Sequence, residues 1–260
     1  MNKKSMSRPW SREELILAFN LYLKLPFGKM HSRNIRIIEL GALINRTPDS
    51  VAMRLSNFAS VDPFHITRGI AGLKGGIKQV KPIWDEFHNN REELIYISEQ
   101  ILANYQKTSL INKYPQELRG TENLTGEDKI SETKRRVNQY VFREMVLSNY
   151  TFRCAISGIN IPELLIASHI VPWSIEKTVR LNPENGICLS PLYDKAFDIG
   201  LITITQDFKV KLSSILEEET DKLYYKYAFA PYNGVTIHLP SKYLPNKEFL
   251  AYHHRNIFKN

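Results

Sequence analysis

The chain has 260 residues with 43% hydrophobic content, enough to bury ordinary cores and, at this length, to make two domains. No run approaches the roughly 18 apolar residues of a membrane span, and the opening MNKKSMSRPW lacks the apolar stretch of a secretory signal; a cytoplasmic protein is expected and a membrane protein is not. The net charge of +8 is unevenly placed: residues 1–80 carry 13 Lys and Arg against 5 Asp and Glu, while residues 81–260 carry 22 of each, so the basic excess reads as a face for a polyanion, nucleic acid before an anionic membrane surface.

Ser11 and Glu14 have capping-box spacing, Trp10 and Leu15 sit where a hydrophobic staple forms, and Leu15, Ala18, Phe19, Tyr22 and Leu23 recur at helical spacing. A helix over 12–24 follows. After a turn at Pro26 to Gly28, the apolar Ile35, Ile38, Leu40, Leu43 and Ile44 predict a second, short helix. Thr47 and Pro48 then supply an N-cap and a first-position proline for a third, continued by Val51, Met53, Leu55 and Phe58. Together ELGALINRTPDSVAMRLSNF reads as a helix-turn-helix with a tight turn at Asn45 to Thr47. Its second helix would offer Asp49, Ser50, Arg54 and Asn57 to a DNA major groove, with Arg46 of the turn beside them. A plain helical hairpin in a bundle fits the same pattern; the local charge excess favours DNA.

The segment GIAGLKGG is too rich in glycine for a helix and reads as a mobile loop. With Arg68, Lys74, Lys78 and Lys81 around it, it either follows a phosphate backbone or is a solvated connector. Helical periodicity resumes from Ile83 to about Tyr105 through Trp84, Phe87, Leu94, Ile97, Ile101 and Leu102. The polar stretch 106–130, broken by Pro115, Gly120 and Gly126, reads as a linker between a helical DNA-recognition domain over 1–105 and a second domain over 131–260. A helix over 132–149 opens the second domain, with Val137, Tyr140, Val141, Met145 and Val146 inward.

Residues 152–158 and 164–170 predict two short strands, and His169 ends the second. Beyond a loop holding Arg180, Asn182 and Asn185, Ser190 and Pro191 start a short helix that Gly200 ends. Asp194 and Asp198 fall on it at i and i+4, so both carboxylates project from one face. Like charges at that spacing repel by roughly 0.2–0.5 kcal/mol in an isolated helix, and a bound cation would reverse the sign. Carboxylate oxygens favour hard ions such as Mg²⁺ or Mn²⁺. Each residue also has a plainer role: a core histidine, a turn asparagine before Gly186, a solvated acidic face beside Lys195. Cys154 and Cys188 are too few for a disulfide framework or a four-thiolate zinc site, and a buried, reduced state is expected for both.

A strand with His169, a loop with Asn185 and a helix with Asp194 and Asp198 resemble the HNH nuclease family, whose catalytic unit is the ββα-metal fold, over about residues 150–204. HIVPW followed by NGICLSPLYDKAFDIGLITI resembles more closely the HNH subgroup of bacterial restriction endonucleases. VNQYVFREMVLSNYTFRCAISG is similar to that subgroup's lead-in helix and first strand, and LPNKEFLAYHHRNIF to its closing segment. The resemblance implies a C-terminal ββα-metal domain, and with the helical reading of residues 1–105 the expected fold is α+β: an N-terminal all-α, helix-turn-helix-like domain followed by that HNH domain. It implies His169 as general base, Asn185 as the brace that holds the base in place, and Asp194 and Asp198 as ligands of one Mg²⁺ or Mn²⁺ per active site.

The chemistry agrees with those roles. Neutral imidazole can deprotonate a water near pH 7, and a divalent ion can stabilise the leaving 3′-oxygen, giving 5′-phosphate and 3′-hydroxyl ends. Arg180 is the candidate phosphate clamp, with a surface salt bridge to Glu184 or Glu176 as its alternative. Three departures stand out: Ser168 occupies the place of an acidic residue or second histidine, Asp194 stands where some members have His, and CAIS replaces a CxxC pair, so no structural zinc is expected. His253 and His254 beside Arg255 read as structural or solvated more readily than as DNA contacts. The expectation is a restriction-type endonuclease on double-stranded DNA, a homodimer when both strands are cut, with dependence on modified cytosine left open. The alternatives are a DNA-binding regulator with a non-catalytic HNH domain, and an RNase or nonspecific nuclease.

Overall fold

A computed structural model describes residues 8–25, 28–67, 69 and 72–260, with the Lys74 side chain also outside the described set. The turn expected at Pro26 and the flanking Arg68 lie outside the described residues. The chain divides into two compact units, Met1–Asn138 and Gln139–Asn260. No helix among the described residues is long and apolar enough to cross a membrane.

The first unit is helical. Helix α1 (Arg12–Lys24) starts on the expected capping box: Ser11 Oγ accepts the Glu14 N–H, and the Glu14 carboxylate accepts the Ser11 N–H. Every residue of α1 from Glu14 to Leu23 is buried, because α3 (Pro48–Ala59), α5 (Ile77–Phe87) and α6 (Arg91–Tyr105) all pack on it. Phe19 stacks on Phe58 with ring centroids 4.7 Å apart, and Trp84 closes on the same ring at 5.1 Å. Helix α2 (Ile35–Leu43) joins α3 through a tight turn in which Asn45 adopts φ 55° and Arg46 N–H returns to the Gly41 carbonyl. Thr47 caps α3 by accepting the Ser50 N–H, and Pro48 takes the first helical position.

The single helix expected over 83–105 is two. Helix α5 begins earlier, at Ile77, and ends at Phe87; α6 restarts at Arg91 with Glu92 and Glu93 in its first turn, where carboxylates suit the helix dipole. Short helices α4 (Pro63–Ile66) and α7 (Leu110–Lys113) complete the unit's helices before the long α8 (Gly126–Asn149).

The stretch read as a linker is packed: Tyr114, Leu118 and Thr121 are buried, and Tyr114 Oη donates to Glu99. Glu99 is itself fully buried. Burial alone would push its carboxyl upward, but Lys24 and Lys113 together overcome that and hold it well below the usual carboxylate range. What looked like a polar, aperiodic connector is thus fastened to the helices by buried charge. Helix α8 runs across the position where the two units divide.

In the second unit, strands β1 (Ile166–His169) and β2 (Gly186–Leu189) form an antiparallel pair, with Ser168 opposite Ile187 and His169 opposite Gly186. The strand expected over 152–158 is not one. Thr151 and Phe152 adopt φ 52° and 53°, which breaks an extended run, and the N–H of Gly158 turns back to the Cys154 carbonyl. The partner of β1 is therefore β2, the segment following the asparagine loop.

Helix α9 (Pro191–Asp198) follows β2 and ends at Gly200. Gly200 has φ 76°, and a Cβ there would meet the Ile257 carbonyl at 2.0 Å, so only glycine fits. A second hairpin, β3 (Ile202–Ile204) with β4 (Val210–Leu212), comes next, then short α10 (Ser214–Glu217) and α11 (Leu223–Ala228), and finally α12 (Lys247–Asn256). His253 of α12 is a structural residue: buried, stacked on Phe197 at 3.6 Å and bonded to Thr203 Oγ1 and the Phe197 carbonyl. Burial holds its pKa down at about 4.

Candidate active site

The β1–β2 hairpin lies between α8 and α9. Cross-strand partners share a face, so His169 and Gly186 face one way and their neighbours Ser168 and Ile187 the other. A Cβ on Gly186 would meet Val146 Cγ2 at 2.3 Å and Phe142 Cζ at 3.0 Å. The missing side chain lets α8 close on the hairpin, and Phe142 stacks beneath the His169 ring at 4.1 Å. Trp173 meets the same imidazole edge-on at 5.5 Å.

His169 Nε2 bonds to the backbone carbonyl oxygen of Arg180 at 2.9 Å. A carbonyl only accepts, so Nε2 carries the proton and Nδ1 keeps its lone pair. Burial lowers the pKa of the ring, the charge of Arg180 adds to this, and the carbonyl bond partly opposes it.

Asn185 is fully buried and uses both ends of its amide. Oδ1 accepts the Val171 N–H at 2.8 Å; Nδ2 donates to the Val171 carbonyl at 3.1 Å and to the Val179 carbonyl at 3.3 Å. Val171 lies two residues beyond His169, and Val179 directly precedes the residue whose carbonyl holds the imidazole. One side chain therefore ties both ends of the loop to the strand that bears the histidine.

Asp194 and Asp198 lie on α9, half-buried and exposed respectively. Burial raises the pKa of Asp194 against the opposing influence of Ser168 and Lys195. Burial and the charge of Asp194 both raise Asp198, with Lys195 opposing. Ser168 is 3% exposed, and its hydroxyl has no partner of good hydrogen-bond geometry although it approaches Asp194. Among the described residues no group of three or more His, Cys, Asp or Glu stands together as a ready metal site. The donors gathered here are nonetheless all oxygen, two carboxylates with raised pKa and one orphaned hydroxyl, a set that suits a hard divalent ion. The structure brings the two aspartates together with Ser168, and His169 together with Asn185, on adjacent positions of one strand.

Arg180 contributes more through its backbone than expected. Its side chain donates from Nε to the Trp173 carbonyl at 2.6 Å and lies over the Trp173 ring at 5.0 Å, and its charge helps hold the Glu176 carboxyl below its ordinary value. Phe142 and Trp173, which frame the imidazole, were not singled out from sequence. Trp173 lay within HIVPW, whereas Phe142 sat unassigned beside the apolar positions of its helix. Cys154 and Cys188 are free and buried; Cys154 Sγ accepts N–H bonds from Ser157 and Ser190, and burial pushes the Cys188 thiol up to about 12.

In the first unit, two residues expected to face DNA are instead occupied within the fold. Arg46 keeps only 7% of its side chain exposed, pairs with the fully buried Glu14 at 2.8 Å, and donates to the carbonyls of Arg8 and Pro9. Asn57 is 3% exposed and donates to the Leu73 carbonyl at 2.6 Å, fastening the glycine-rich segment to α3. Arg54 is half-buried over the Trp10 ring at 4.9 Å and donates to Asn57 Oδ1. Ser50 is half-buried and Lys78 is exposed; the Lys74 side chain lies outside the described residues.

Residues 154–205 match the family described as HNH endonuclease, a segment that runs from Cys154 through His169, Asn185, Asp194 and Asp198 to β3. No curated protein matches the chain. By this match residues 154–205, within the second unit, form an HNH endonuclease segment, a family of nucleases that act on nucleic acid.

Proposed function

We propose that this protein is a Mg²⁺- or Mn²⁺-dependent DNA endonuclease of restriction type that leaves 5′-phosphate and 3′-hydroxyl ends. The observation that carries the reading is the bond from His169 Nε2–H to the Arg180 carbonyl, which aims a neutral imidazole with Nδ1 available for a water's proton. Asn185 supports it as a positioning residue, because the carbonyl that orients the base sits on the loop its amide holds. Asp194 and Asp198, with the Ser168 hydroxyl, are the residues that would hold a divalent ion. Such an ion supplies electrostatic stabilisation of the leaving 3′-oxygen.

In this reading the first unit supplies duplex affinity through its basic excess, with Ser50, Arg54 and Lys78 the contact candidates that are not fully buried. Cutting both strands calls for two active centres, which a homodimer provides.

Nicking of a supercoiled plasmid in Mg²⁺, Mn²⁺ or EDTA tests the proposal. Metal-dependent cutting that disappears in a folded His169→Ala supports it. Gel shifting without cutting would favour the regulator, cutting of RNA in preference to duplex DNA would favour the ribonuclease, and a His169→Ala protein as fast as its parent would remove His169 as the base.

A further inference from the structure

His169 closes one end of a cleft of about 260 Å³ between α8 and β1. Phe142, Leu165 and Ala167 make its walls largely apolar, and Gln139 and Arg143 supply its polar side chains. All of these residues belong to the second unit. The volume lies just under the roughly 300 Å³ at which drug-sized sites begin, which suits a group the size of one sugar with its phosphate.

Arg143 gives the cleft its chemistry. Its Nη2 donates to the carbonyls of Pro162 at 3.1 Å and Leu165 at 2.9 Å, which pins the guanidinium across the approach to β1. A guanidinium has five N–H donors in one plane, so Nε and Nη1 still have donors to offer. Among the described residues no carboxylate pairs with Arg143. A half-buried cation held rigid by its own backbone, beside an apolar wall and a base, matches the sugar–phosphate backbone of a nucleic-acid strand.

We propose that this cleft is a subsite for the nucleotide adjoining the bond to be cut. The sugar packs on the half-buried Ile166 and Ala167, and its phosphate is bound by Arg143. The inference rests on the nuclease reading and extends it, since it states which side of β1 the strand follows. His169 lines the same cleft and stacks on Phe142, so a nucleotide seated there is next to the base.

The test measures affinity of the full chain for a labelled DNA duplex in EDTA across a salt series, with Mg²⁺-dependent cleavage followed separately. Loss of one phosphate contact lowers the slope of log affinity against log salt by about one. Arg143→Ala is expected to show that drop, and Arg143→Lys to recover most of it. Ala167→Met fills the cleft without altering charge, and is expected to weaken duplex binding about tenfold with an unchanged melting temperature. A folded Arg143→Ala with the parent's salt slope, together with Ala167→Met at the parent's affinity, overturns the subsite. Should Arg143→Ala fail to fold, Ala167→Met decides alone: parental affinity overturns the proposal and tenfold weaker binding supports it. Because affinity is read without metal, a protein that binds through the cleft but never cuts sinks the nuclease reading alone, and cutting indifferent to these variants sinks the subsite alone.

Discussion

The imidazole of His169 donates from Nε2 to the carbonyl oxygen of Arg180, 2.9 Å away and 11 residues further along the chain. That bond joins the end of β1 to a loop with little regular structure, and it selects the tautomer whose Nδ1 can take a proton. The loop keeps its place because Asn185 holds the neighbouring Val179 carbonyl.

The pH dependence of cleavage follows from burial of that ring. Its pKa lies below the ordinary imidazole value of 6.5, so the neutral, active form persists as the pH falls past that value. The acid limb of kcat/KM is expected to have its midpoint below 6.5, and a midpoint at or above 6.5 counts against His169 as the titrating base. The same sign governs stability: the contribution of a buried neutral histidine is complete above its unfolded pKa and is lost as the pH falls through the lower, folded one. His253, held at about 4, adds a second loss deeper in acid.

Asn185→Ala removes three hydrogen bonds from a fully buried site and leaves the Val171 N–H and carbonyl without their partners, while the Val179 carbonyl keeps the Asn182 N–H. A loss of about 1–3 kcal/mol of stability is expected, on the scale of a buried group left unsatisfied. Cleavage should fall further than melting explains, since the loop carrying the Arg180 carbonyl is released. Cleavage by the folded fraction equal to the parent's would show that Asn185 does not position the base.

Asp194 and Asp198 each have a raised pKa, so in metal-free protein their contribution to stability is present below the unfolded carboxylate value and is lost as the pH rises through the folded one. Near pH 7 the pair is a small liability. Asp198→Asn in EDTA is expected to hold or raise stability by about 0.2–0.5 kcal/mol, the size of an i,i+4 like-charge repulsion. The same substitution should abolish any rise in melting temperature produced by Mg²⁺ or Mn²⁺. An undiminished metal-induced rise would remove Asp198 from the ion's site.

Arg46 and Lys78 both belong to the basic N-terminal third, yet opposite outcomes are expected. Arg46→Ala leaves the buried Glu14 carboxylate with the half-exposed Arg8 as its one remaining charged partner among the described residues, beside the Ser11 N–H, and should cost about 3 kcal/mol in urea unfolding. Lys78→Ala should leave unfolding unchanged and reduce the salt slope of duplex binding by about one if Lys78 meets a phosphate. An unchanged slope removes Lys78 from the interface.

Local signals were legible in the sequence because they act over a few residues. The Ser11–Glu14 box, the Thr47–Pro48 helix start and the i,i+4 placement of Asp194 and Asp198 depend on neighbouring backbone alone, and each stands where its spacing predicts. The family resemblance was legible for a related reason: His169, Asn185, Asp194 and Asp198 fall in one short segment. Spacing could not show which segment pairs with β1, because the runs at 152–158 and 186–189 compete for the same partner, and the left-handed backbone at Thr151 and Phe152 that breaks the first is set only in the folded chain. Nor could it show that Arg46 and Asn57 turn inward or that 106–130 is packed, since a polar side chain looks solvated until a buried partner is found. Sequence by itself singled out the candidate residues; tertiary structure decided the orientation and tautomer of His169, because a carbonyl 11 residues away, a ring on α8 and a missing side chain at Gly186 meet at that residue only after folding.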